Sequence, residues 1–167
     1  MFEWMREYKR ILVTGPQRSG THICARMISH DTGYKYVEEG EFDTGDFEKL
    51  RYLILTNTEI VVQCPAASVR IHELSCPGVL VVFMGRDLEE IAASQKRIRW
   101  SAKVQRKAYH DAIMGLSIAE IKRIFWKGYQ ADRVDAMAEV DYDELAWHPL
   151  WVPKRQREDW KWDQTSN

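Results

Sequence analysis

The stretch that most limits how this chain can fold is Ile11-Leu12-Val13-Thr14, which runs directly into Gly15-Pro16-Gln17-Arg18-Ser19-Gly20-Thr21-His22. A short apolar run that breaks on glycine reads as a strand entering a tight loop. Beyond Gly20, the residues Ile23, Cys24, Met27 and Ile28 fall on one helical face, up to the Ser-His-Asp-Thr-Gly segment at 29–33. Strand, glycine loop and helix in that order open an α/β sheet and place amide donors at a helix start, where an anion can sit.

The same alternation continues. The segment 34–39 reads as a short strand, and 59–64 as another stopped by Pro65. Asp46 can cap a helix that turns Phe47, Leu50, Leu53 and Ile54 inward, and residues 66–75 have helical character. Val79 to Met84 is apolar throughout, as in a central parallel strand covered on both faces. Asp87 starts a helix with Leu88, Ile91, Ala92, Gln95 and Ile98 on its stripe, and Ser117 with Glu120 forms a capping box for another with Ile118, Ile121, Ile124 and Phe125 facing in. A strand at 136–140 follows, and from about Trp147 the chain is Trp-rich, basic and irregular. The expectation is one domain over 1–167, a three-layer α/β sandwich with a mostly parallel central sheet and a phosphate-loop-like turn.

The loop is not a standard nucleotide-binding sequence. In G-x-x-x-x-G-K-[ST] the lysine reaches the β and γ phosphates. Here Gly15 and Gly20 keep the spacing, Thr21 stands at the lysine position, and the cation is Arg18. An arginine offers a planar fork to paired oxygens, so the loop keeps anion-binding character while lacking the usual cation for triphosphate hydrolysis.

Charge confines that character to one place. The formal net charge is -1, with 45% hydrophobic and 29% charged residues, so neither disorder nor a globally basic nucleic-acid binder fits. No apolar run is long enough to span a bilayer, and the first ten residues lack the apolar core of a secretion signal, so a cytoplasmic location is expected. Cys24, Cys64 and Cys76 show no paired spacing, which points to reduced thiols rather than disulfides or zinc.

Pro16-x-Arg18-Ser19-Gly20-Thr21-His22 resembles the 5′-phosphosulfate loop of the PAPS-dependent sulfotransferases, with His22 where that family commonly has a second threonine. Arg86 and Ser94, eight residues apart after the apolar strand, resemble the pair that grips the 3′-phosphate of PAPS. Val61-Val62-Gln63-Cys64-Pro65 and the segment from Val140 to Pro149 are similar to further family segments, the latter with Asp143-Glu144 in reversed order. The resemblance spans roughly residues 10–150 and would make this an unusually short member.

It implies a sulfuryl transfer from PAPS to an unidentified hydroxyl or amine acceptor, with no metal expected. Arg18, Ser19, Gly20, Thr21 and His22 would hold the phosphosulfate, and Arg86 with Ser94 the 3′-phosphate. For the general base, Glu39 comes first, with Glu38 and Glu41 beside it, His22 as the rival and His72 third. Two other readings stay open: a P-loop nucleotide or small-molecule kinase, and a non-catalytic nucleotide- or nucleic-acid-binding module. The latter would use the basic run 96–107, whose cations interleave with Trp100.

Overall fold

The computed structural model describes residues 1–44, 46–74, 77–98, 116–132 and 136–152. Cys76, most of the basic run 96–107 and the tail beyond Val152 lie outside the described residues. Five strands, β1 (Arg10–Thr14), β2 (Lys35–Val37), β3 (Ile60–Gln63), β4 (Val79–Gly85) and β5 (Met137–Asp141), form a sheet in the order β2-β3-β1-β4-β5. Every neighbouring pair is parallel. Between them run α1 (Thr21–Thr32), α2 (Phe47–Thr56), α3 (Ile71–Leu74), α4 (Leu88–Arg97) and α5 (Ile118–Asp132).

Strand order dictates the layers. Parallel crossovers are right-handed, so the direction of each step along the sheet decides which face its helix covers. The step from β1 to β2 runs one way and every later step runs the other. Accordingly, Cys24, Met27 and Ile28 of α1 pack on Ile11, Val13, Leu80 and Val82. On the opposite face Leu50, Ile54, Ile71, Leu74 and Trp126 pack on Leu12, Val62, Val81 and Phe83. The result is the expected three-layer α/β sandwich, and Val79 to Met84 is buried along its whole length.

Two helices are turned differently from their sequence pattern. Asp87 caps α4, accepting from the Glu90 amide at 3.0 Å, but the buried stripe is Ile91 and Ser94, with Ala92 and Ile98 exposed. The Ser117–Glu120 box closes at 2.7 and 3.3 Å as expected. Ile121 of α5 is buried as expected, yet Ile124 and Phe125 face solvent, and Ala119, Lys122 and Trp126 are buried instead. The anchor is Trp126, whose ring stacks on Phe83 with centroids 4.8 Å apart. A large flat surface stacked on the sheet outweighs the Ile124 and Phe125 side chains in setting the helix phase. Residues 66–75 hold less helix than expected, a 3-10 turn (Pro65–Val69) followed by the single turn of α3.

Cys24 and Cys64 are buried and free, and burial pushes the Cys64 thiol up to about 11. No helix among the described residues is long and apolar enough to cross a membrane.

At the carboxyl end of α1 a second polar cluster closes on itself. Asp31 Oδ1 lies 3.0 Å from both His30 Nδ1 and His148 Nε2, while Asp31 Oδ2 accepts from the Phe2 amide at 2.8 Å. Sequence spacing gives no hint of this grouping, because His148 lies 117 residues from Asp31. His30, Asp31 and His148 bring three ligand atoms within 4.8 Å of one another, the spacing a cation needs, but the carboxylate is already occupied by internal donors.

Candidate functional site

The helix after β1 crosses one face of the sheet, and the connections after its neighbours β3 and β4 cross the other. Such a divergence opens a crevice at the carboxyl ends of the strands, where open α/β sheets bind ligands. A cavity of about 1140 Å³ lies there, lined by Arg18, Thr21, His22, Glu39, Arg86 and Ser94 among others. The fold therefore brings the site residues expected from sequence to one cleft, apart from Ser19 just behind it, Glu41, which is not among its lining residues, and His72, which is exposed on α3 beside Glu73.

The loop is held from behind. Gly15 has φ of 143°, and a Cβ there would come within 3.0 Å of the Met84 carbonyl on β4. Its amide donates to Ser68 Oγ at 2.9 Å, and Thr14 Oγ1 lies 2.8 Å from the same oxygen. Gly20, with φ of 102°, is tighter still, since a Cβ would meet the Tyr142 ring at 2.6 Å. Between them Arg18 takes φ of 76°, a left-handed conformation that costs a non-glycine residue of order 1 kcal/mol and concentrates at functional sites.

That strained backbone aims the Arg18 side chain at α4. Its Nε donates to Ser94 Oγ at 3.2 Å, Arg97 Nη2 reaches the same oxygen at 3.4 Å, and Arg86 Nη1 donates to the Arg18 carbonyl at 3.0 Å. Arg86 is also paired with Glu90 at 2.8 Å and lies 3.9 Å over the Tyr142 ring. Arg18 and Arg97 form no ion pair among the described residues. Burial, then the Arg97 and Arg86 charges, lower the Arg18 guanidinium from its usual value, although an arginine stays cationic. Two guanidinium groups sharing one serine, with a third on the Arg18 carbonyl and a single carboxylate among them, leave a net positive hollow. Arg97 was not singled out in the sequence, because it sits within the long basic run.

Behind this hollow, Ser19 is fully buried and its Oγ has no hydrogen-bond partner, at a cost of about 1–3 kcal/mol for such a group. Its amide is spent on the Pro16 carbonyl at 3.0 Å. Hence the expected row of donors from Ser19 to His22 shortens to the first turn of α1, before the Cys24 amide bonds Gly20.

The opposite end of the cleft is acidic. Gln63, at the end of β3, donates to Thr21 Oγ1 at 3.2 Å and accepts from the Glu39 amide at 3.4 Å, tying loop and acid together. Glu38 and Glu41 are engaged in a reciprocal capping box around the 3-10 turn (Glu39–Glu41), which leaves Glu39 as the cleft-lining carboxyl outside that box. Burial raises the Glu39 carboxyl above the ordinary range, opposed by the Lys122 charge. His22 has both ring nitrogens engaged: Arg26 Nε donates to its Nε2 at 3.2 Å, and its Nδ1 lies 3.1 Å from the Tyr36 hydroxyl. Burial first, and Arg26 second, hold that imidazole below its ordinary value, so it is neutral at neutral pH.

No family model matches the chain, and no curated protein matches it. Among solved structures, a shikimate kinase from Acinetobacter baumannii in complex with shikimate is similar, at 15% identity and a TM-score of 0.46 over 83% of this chain and 86% of that one.

Proposed function

We propose that this protein is a sulfuryl transferase using PAPS as donor. The observation that carries the reading is the meeting of Arg18 and Arg97 at Ser94, with Arg86 on the Arg18 carbonyl, which joins the loop after β1 to the helix after β4 in one cationic hollow. A donor with anionic groups at both its 5′ and 3′ ends needs two adjoining anion sites. Arg18 and the α1 start suit the 5′ end, and Arg86 with Ser94 suits the 3′-phosphate. The unpartnered Ser19 hydroxyl in the same loop supports a polar ligand at this place. When bound, PAPS supplies the sulfuryl group, and the acceptor supplies the oxygen or nitrogen that replaces the phosphate bridge.

The chain's own contribution is orientation, charge and proton removal. Arg18 and the first-turn amides offset the electron pair left on the departing phosphate oxygen as the bridging S–O bond breaks. Glu39 takes the proton that the acceptor loses as its bond to sulfur forms. It is better suited than His22, whose two nitrogens already have partners, and than Glu38 and Glu41, which cap their own turn.

The rival, a magnesium-dependent kinase, retains the Gly15–Gly20 spacing but not the rest of that loop's chemistry. Thr21 replaces the lysine, and His22 falls where the magnesium-binding hydroxyl would stand. Calorimetry decides between the two. Adenosine 3′,5′-bisphosphate should bind, and Arg86→Ala should weaken it at least about tenfold, the worth of one charge-assisted hydrogen bond. Equal binding of AMP or Mg-ATP, with Arg86→Ala indifferent, would falsify the assignment. Bisphosphate binding without sulfuryl transfer to any hydroxyl or amine acceptor would leave the non-catalytic module.

A further inference from the structure

Lys122 lies on α5 between Ala119 and Trp126, fully buried. Its ammonium donates to Gln17 Oε1 at 2.6 Å and the Pro65 carbonyl at 2.5 Å, and lies 3.5 Å from the Gly15 carbonyl. Among the described residues it has no carboxylate at ion-pair distance. A buried ammonium costs several kcal/mol, which three neutral oxygens offset only in part. Such a group is costly to keep unless the charge is used.

Its partners show where it is used. Gly15 and Gln17 belong to the anion loop, and Pro65 ends the strand beside it, so the ammonium braces the carbonyl side of a turn whose donors serve the cleft. Gln17 is held a second time, its carbonyl accepting from Gln95 at 3.2 Å.

We infer that Lys122 takes the place of the lysine missing from position 21: it reaches the loop from α5 as a positioning residue, and its charge is completed when an anion enters the cleft, so that binding takes up a proton. The inference rests on the cleft binding an anion, as the proposed function requires, but not on that anion being PAPS.

The electrostatics agree with the geometry. Burial draws Lys122 down to about 7, and the titratable groups that act on it, Cys64 and Glu39, pull the other way. Near pH 8 the side chain is therefore mostly neutral in the free protein, and a nearby anion restores its proton.

Calorimetry at about pH 8 in two buffers of different ionisation enthalpy measures this uptake. Adenosine 3′,5′-bisphosphate and inorganic sulfate are the probes, since neither titrates there. Wild type should take up between about half a proton and one proton per anion, and Lys122→Met should take up none and bind roughly tenfold more weakly. A second readout is the pH dependence of unfolding. Below about 7 both folded and unfolded chains hold the proton, and between about 7 and the ordinary 10.5 only the unfolded chain does, so wild-type stability should climb across that window and Lys122→Met should lack the climb.

Methionine fills similar volume without a charge, so the variant should fold. If it does not, Lys122→Arg carries the test, because a permanent cation should bind sulfate without proton uptake. Uptake unchanged in either variant, no uptake in wild type, or no binding of either probe overturns the inference. Sulfate binding with Lys122-dependent uptake, and no preference for the bisphosphate, would uphold Lys122 and sink the PAPS reading alone.

Discussion

The two ends of α1 make an instructive pair. At its carboxyl end the buried Asp31 is met by His30, His148, the Phe2 amide and the Met1 amino group. At its amino end Arg18 and Arg97 share one serine hydroxyl without an ion pair among the described residues, and Ser19 has an unmatched hydroxyl. Both ends concentrate charge, but the first is balanced from within and the second is not. The difference separates a charge cluster that holds the fold together from one that, under the proposed function, takes a ligand.

The sharpest way to break that contrast is at the closed end. Asp31→Ala leaves a buried histidine and a buried amide without their acceptor, and should cost about 3–5 kcal/mol in denaturant unfolding. Affinity for adenosine 3′,5′-bisphosphate should survive wherever the variant remains folded. The same residue sets acid sensitivity. Burial by itself would raise its carboxyl, but the Phe2 amide, His30, the amino group and His148 hold it well below the ordinary carboxylate range. A depressed folded value means stability that is fully present above the ordinary 3.8 and is lost as pH falls further, a loss Asp31→Ala should abolish.

At the open end the signs reverse. Arg18→Ala should reduce bisphosphate affinity by about 10- to 100-fold, from the loss of a charge-assisted contact worth about 1.5–3 kcal/mol. Its thermal midpoint should hold or rise, since two like charges oppose Arg18 in the free protein, while alanine keeps the same left-handed backbone. A fall in stability as large as that of Asp31→Ala would mean that both ends are structural. The smallest effect belongs to His72→Ala, an exposed change on α3 expected to alter neither affinity nor stability beyond about 0.5 kcal/mol.

Sequence order and spacing make the strand-to-loop-to-helix opening, the central strand and the Asp87 cap readable, because each depends on short-range rules of turn, pattern and cap. What they concealed was α5. A lysine inside an otherwise apolar stripe ordinarily marks the wet face, so the sequence pattern favours Ile124 and Phe125 over Ala119, Lys122 and Trp126. The helix phase set by Trp126 and the buried cation are therefore concealed together. His148 was hidden for another reason: its acceptor is 117 residues away, and no local pattern encodes such a pairing.

The central place of β1 has a consequence for how the molecule is made. Its neighbours begin at Ile60 and Val79, far along the chain, so the loop's backing from Met84 does not exist until four strands have been synthesised. A nascent chain emerging amino end first carries the glycine loop after β1 early but can shape it only late, as non-local sheet pairings close. Capture of an anion would thus report the completion of folding on the ribosome, where secondary structure alone would signal too soon.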